Sequence, residues 1–149
     1  MRLAEYTDYS LRVLMYCAAH RGELVTIAEL AERHAVSKNH LMKIVNDLGR
    51  RGYMITLRGR KGGIRLMRRP SEINIGRLVR ETEDEFYVLG CLERAGYCRI
   101  ERVCVLRGAV RDATSAFLAV LDGYTLADLI APRKVLADLL LRQSLAPNE

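Results

Sequence analysis

The sequence predicts a mainly α-helical fold with a small β wing, a winged helix-turn-helix followed by a long C-terminal dimerisation helix. Three observations predict it. Two short capped helical patterns flank the tight turn HAVS, a hairpin with the basic glycine-rich tip RGRKGG follows at once, and one long alanine-rich amphipathic stretch fills the second half. Charge divides along the same line: residues 1–69 carry 14 Lys and Arg against 6 Asp and Glu, whereas residues 70–149 carry 10 against 12. A basic first half joined to a near-neutral second half is the footprint of a nucleic-acid-binding module with an appendage.

The elements follow in order. From Asp8 to about His20, the apolar positions Val13, Leu14, Cys17 and Ala18, flanked by Leu11 and Met15, fit a helix with one broad buried face that Gly22 ends. Thr26 with Glu29 three residues on predicts a capping box, opening a helix that buries Ile27, Leu30 and Ala31. Ser37 then caps a second helix with Leu41, Ile44, Val45 and Leu48 inward. Past Gly52, YMITL and IRLM flank the hairpin tip. In such a unit the first turn of the second helix meets base edges in the major groove, which makes Ser37, Lys38, Asn39, His40 and Lys43 the candidate readers. The wing would carry Arg58, Arg60 and Lys61 to phosphates or the minor groove. The DNA-binding region is expected to span 1–69.

Residues 70–104 are expected to hold a connecting helix, with Ile75, Leu78 and Val79 inward and the acidic run Glu81 to Glu85 at its end, and then a cysteine loop. Residues 105–149 are expected to hold the dimerisation helix and further C-terminal helices. Leu106, Ala109, Val110, Ala113, Ala116, Phe117, Val120 and Leu121 recur at three- and four-residue steps, and the small residues would let two helix backbones approach closely. Thr125 and Asp128 are expected to cap one more short helix, and Pro132 starts a final amphipathic segment through about Arg142.

Cys91, Cys98 and Cys104 are spaced C-x6-C-x5-C. Structural zinc prefers tight paired knuckles that preset two sulfurs about one ion, so the wider spacing suits an iron–sulfur cluster with thiolates at separate corners. Arg94, Arg99 and Arg102 lie among the thiols and would help hold an anionic cluster. Three thiolates leave one corner to be filled from elsewhere. Cys17 lies on an apolar helix face, where packing is its expected role, and His20, His34 and His40 all precede the wing. A carboxylate is a further choice, and would be a weaker, more readily displaced iron ligand than a thiolate.

The opening YTDYSLRVLMY, the helix-turn-helix, the wing RGRKGGIRL, the segment INIGRLVRETE, the three-cysteine loop and the run RDATSAFLAVLDGYTLADL together resemble the NsrR-type branch of the bacterial iron–sulfur winged-helix regulators, a family that includes IscR and RirA. The resemblance covers nearly the whole chain. It implies a homodimeric repressor on a palindromic double-stranded DNA operator, with nitric oxide as effector and a cluster on Cys91, Cys98 and Cys104, 4Fe-4S ahead of 2Fe-2S. It further implies Asp8, supplied by the partner subunit, as fourth ligand; the IscR-like branch uses a histidine shortly after the last cysteine, where this chain has Arg107. The first gap of six residues is one longer than the family's usual five.

Two alternatives keep the scaffold: a cluster-free switch in which Cys98 and Cys104 form a reversible disulfide, and a zinc site. Catalysis is not expected, since neither a nucleotide fingerprint nor a nucleophile elbow is present. No apolar run approaches the roughly 20 residues of a membrane span and the N-terminus lacks a secretory h-region, so a cytoplasmic protein without a membrane partner is expected.

Overall fold

The computed structural model describes residues 2–20, 22–83, 86–94 and 96–131, together with Val135 and Leu139. Helix α1 (Glu5–Ala19) starts three residues before the sequence pattern suggests, because its N-cap, Ala4, has no side chain with which to announce the boundary. The Ala4 N–H is instead taken by Glu83 Oε1, at 2.7 Å from the far side of the chain. Beyond α1, Gly22 turns the backbone at φ +90°, a conformation that L side chains rarely adopt.

Helix α2 (Ile27–His34) is capped by Thr26, whose Oγ1 accepts the Glu29 N–H at 3.1 Å. The reciprocal half of the expected box is redirected: Glu29 Oε1 accepts the Tyr16 hydroxyl at 2.6 Å, tying α2 to α1. Burial, then the neighbouring Glu29, pushes the Tyr16 hydroxyl up to about 12. Ala35, left-handed at φ 52°, makes the turn into α3 (Lys38–Arg50), where Ser37 Oγ accepts the His40 N–H at 3.2 Å. Leu41, Ile44, Val45 and Leu48 of α3 are buried, as their spacing requires.

Strands β1 (Met54–Leu57) and β2 (Gly63–Leu66) pair antiparallel with Met54 opposite Leu66 and Leu57 opposite Gly63. The wing is anchored on its other edge by Val25, which exchanges both backbone hydrogen bonds with Ile64, at 2.8 and 2.9 Å. Residue 62 must be glycine here, since a Cβ would run into the Leu57 carbonyl across the tight tip.

A 3-10 turn, Pro70–Glu72, leads to α4 (Ile75–Thr82), capped by Asn74 and burying Ile75, Leu78 and Val79 as expected. A one-turn helix, α5 (Gly90–Glu93), opens the cysteine loop. Helix α6 (Val105–Asp122) follows, and its C-terminal end is held against α4: Asn74 Nδ2 donates to the Asp122 carbonyl at 2.7 Å, and Arg80 makes a bidentate pair with the Asp122 carboxylate at 2.5 and 2.7 Å. Gly76 permits this approach, because any Cβ there would collide with Asp122. The chain then returns through α7 (Leu126–Leu129), started by Thr125 with Asp128 accepting the Thr125 N–H at 2.7 Å, and buries Leu126 and Ile130 in the same core as α1, α3 and α4. The expected segment from Pro132 to about Arg142 lies outside the described residues, as do Asp84 and Glu85 of the acidic run. Among the described residues no helix is long and apolar enough to cross a membrane.

Candidate functional site

The outward face of α3 is the first half of the site. Lys38, Asn39 and Lys43 are exposed, and Ser37, also exposed, spends its hydroxyl on the helix cap. His40 is half-buried, its ring edge-on to Tyr9 of α1 with centroids 5.4 Å apart. The exposed face continues through Met42, Asn46 and Arg50, which the sequence reading did not single out although the helical period counted onward from Asn39 points to them. Arg58, Arg60 and Lys61 stand exposed at the wing tip, on the same basic half of the chain.

Helix α3 is fastened to α1 at a second point. The Tyr6 hydroxyl donates to Asp47 Oδ2 at 2.5 Å, and Arg51 Nε donates to the same oxygen at 2.7 Å. Burial alone would raise the Asp47 carboxyl, but these two hydrogen bonds outweigh it and hold the group below the usual carboxylate range. Tyr6, driven the other way by burial and then by Asp47, stays protonated as a donor far above neutral pH.

The second half of the site is the cysteine loop. Cys91 lies on α5, Cys98 in the following turns, and Cys104 at the N-cap of α6; all three are free thiols and half-buried. Arg107 pins the two ends of the loop together. Its backbone N–H donates to Cys104 Sγ at 3.4 Å, its Nε to the Cys91 carbonyl at 3.1 Å, and its guanidinium pairs with Glu101 at 3.2 Å. Glu101 in turn accepts the Gly96 N–H at 2.7 Å. Beside this clamp a cleft of about 490 Å³ runs along α6, with Phe86, Tyr87, Arg102, Cys104, Arg107 and Arg111 in its walls.

As a donor set these residues suit iron: soft thiolates, accessible, with guanidinium groups to offset an anionic centre. Their arrangement within one chain is less complete. Among the described residues no three His, Cys, Asp or Glu side chains converge on one point. Asp8 sits half-buried on α1 with both carboxylate oxygens engaged by Arg12, at 3.0 and 2.8 Å. Cys17 is 1 % exposed, and burial, then the charge of Glu29, pushes its thiol up to about 12, which fits the packing role its position suggests.

Helix α6 runs from the cysteine loop to its docking on α4, and none of its residues is fully buried. Of the expected stripe, Leu106, Ala109, Ala113, Ala116 and Val120 face solvent, in alternating three- and four-residue steps. Val110, Phe117 and Leu121 are half-buried on a neighbouring face, with Leu121 packed against the main core. The apolar stripe is thus two adjoining faces, one turned inward and one left open.

Similarities to known proteins bear on this arrangement. The family model described as "Rrf2: Iron-dependent Transcriptional regulator" matches residues 3–132. The chain is 50% identical over 142 residues to the "HTH-type transcriptional regulator NsrR" of Bacillus subtilis (strain 168), covering 94% of this chain and 97% of that one. It is 48% identical over 132 residues to the regulator of the same name from Bacillus licheniformis, covering 87% and 92% of the two chains. Among solved structures, T. potens IscR shares the fold with a TM-score of 0.71 at 23% identity, covering 91% of this chain and 90% of that chain.

Proposed function

Because the chain belongs to the Rrf2 family of transcriptional regulators, we propose that it is a homodimeric DNA-binding repressor whose grip on a palindromic operator is controlled by nitric oxide through an iron–sulfur cluster on Cys91, Cys98 and Cys104. The observation that carries this reading is the joining of an exposed basic reading face to a loop of three free, half-buried cysteines at the start of an uncovered helix. That the curated relatives are named as transcriptional regulators speaks for a non-enzymatic role.

In this reading residues 1–69 bind DNA, 70–104 bind the cluster and 105–149 form the dimer. Ser37, Lys38, Asn39, His40 and Lys43 face the major groove, and Arg58, Arg60 and Lys61 follow the backbone beside it. His40 contributes mainly through Tyr9, given its half-buried ring. The open face of α6, Leu106 to Val120, packs against its copy in a second chain, the alanines letting the backbones close. Two reading helices would then meet half-sites one helical turn, about 10–10.5 bp, apart.

When bound, the cluster, 4Fe-4S in preference to 2Fe-2S, supplies the nitric-oxide-reactive iron. The three cysteines hold it and Arg107 keeps the ends of their loop together. Asp8 of the partner subunit is the fourth ligand, and to serve it must leave Arg12. A pull on Asp8 reaches DNA by a short route, because Tyr6 and Tyr9, its near neighbours on α1, touch Asp47 and His40 of the reading helix. Making or losing the tie at Asp8 therefore resets where α3 stands.

Anaerobic purification tests this. Brown protein with iron and acid-labile sulfide, releasing its operator in gel shifts as nitric oxide is added, is the expected result. Equal operator affinity before and after nitric oxide would overturn it. One observation favours a second reading, a metal-free switch through Cys98 and Cys104: the described residues do not gather three donors at one point. Colourless protein with titratable thiols whose oxidation releases DNA would select that reading.

A further inference from the structure

Among the large apolar side chains of α3, Leu41, Ile44, Val45 and Leu48 are buried, while Met42 is 48 % exposed. It is the one apolar residue among the exposed positions of α3. Residues of an α-helix follow one another at about 100°, so Asn39, Met42 and Asn46 form one stripe with Lys38 and Lys43 on its two flanks. A lone thioether set between two amides and two ammonium groups lies at the centre of the surface that would enter the major groove.

The groove offers one apolar feature. Each base pair there presents hydrogen-bonding atoms, and only thymine adds a methyl group, at C5. Asparagine amides match the N6 and N7 atoms of adenine. Methionine, unbranched and with a polarisable sulfur, can follow a methyl group whose position varies slightly between sites. We infer that Met42 is a specificity-determining residue that packs on a thymine C5-methyl group of the operator half-site, beside adenines contacted by Asn39 and Asn46. This rests on the DNA-binding reading and adds to it the chemistry of the bases read.

The full chain would first select its preferred duplex from a random-sequence library, after which each thymine is replaced singly by deoxyuridine. That change removes the methyl group and keeps the base pairing. At one thymine of each half-site, affinity should fall about fourfold, the factor for one buried methyl. Met42→Ala should bind the thymine and uracil duplexes equally, and Met42→Leu should keep the discrimination. Indifference of the unsubstituted chain to uracil at every position, or full discrimination retained by Met42→Ala, would overturn the inference. Retention of no duplex at all removes the DNA-binding reading as well, whereas tight selective binding without any methyl preference removes the methyl contact alone.

Discussion

The region up to the end of α4 and the region formed by the cysteine loop and α6 are built to opposite standards of completeness. In the first, every helix longer than one turn buries residues in a shared core that runs from Val13 through Val79 and is joined by Leu126 and Ile130 of the returning chain. In the second, neither α5 nor α6 has a fully buried residue, and Val105 and Leu106 stand 85 % and 61 % exposed. A sequence this apolar along α6 gains little from folding alone, since apolar surface stabilises only when it leaves water. The first region is specified by its own packing, and the second by whatever it is to hold and meet.

The most damaging way to test that contrast is to cut into the complete half. Leu48→Ala, at a position with no solvent exposure, should lower stability by about 2–5 kcal/mol, read from the midpoint of urea unfolding. A loss under 1 kcal/mol would mean that the core is less consolidated than its burial suggests. The opposite experiment places a charge on the open face. Ala113→Glu should leave far-UV circular dichroism unchanged while sedimentation shifts from dimer to monomer, because two carboxylates would face each other across an apolar seam. An unshifted dimer would move the seam elsewhere.

Smaller effects sharpen the comparison within each half. Arg107→Ala removes the side-chain ties to Cys91 and Glu101 and leaves all three thiols in place. With about 1 kcal/mol for such a hydrogen bond, the cluster-bound form proposed above should lose iron to a chelator roughly fivefold faster than the unsubstituted chain does, followed by absorbance. In the complete half, Asp47 and Glu81 are both held below the usual carboxylate range; burial pushes each upward, and hydrogen bonds from Tyr6 and Arg51, or from Arg77 and Tyr53, prevail. A carboxyl depressed in the folded state contributes stability that is full above its unfolded value of about 4 and lost as pH falls through the folded value. Asp47→Asn should therefore be less stable than the unsubstituted chain by about 1 kcal/mol at pH 6, and the gap should close below pH 4. A constant gap would assign the effect to shape rather than charge.

How much of this the sequence discloses depends on the range of each interaction. The helix-turn-helix is legible because caps and periodicity are local: Thr26 and Ser37 accept the N–H groups three residues on, as their positions require. The start of α1 is not, since Ala4 carries no cap and Glu83 supplies the partner from 79 residues away. Glu29 leaves its expected box for Tyr16, and the half-buried His40 ring packs edge-on against Tyr9, both choices made by a neighbouring helix. The loop cysteines are readable as a donor set, but the Arg107 clamp between Cys91 and Cys104 needs the path of the loop. The stripe on α6 is evident from spacing, while its division into an open face and an inward one follows from the docking of α4.

The grip of Asn74 and Arg80 on Asp122 gives α6 the mechanics of a cantilever, clamped at one end and loaded at the other. Its 18 residues make an arm of about 27 Å at 1.5 Å per residue, so each degree of tilt at the clamp carries the Cys104 end through about 0.5 Å. Geometric gain of that kind lets a shift of half an ångström at Cys104 be absorbed as about one degree at the root, while Arg107 carries the Cys91 end of the loop along with it.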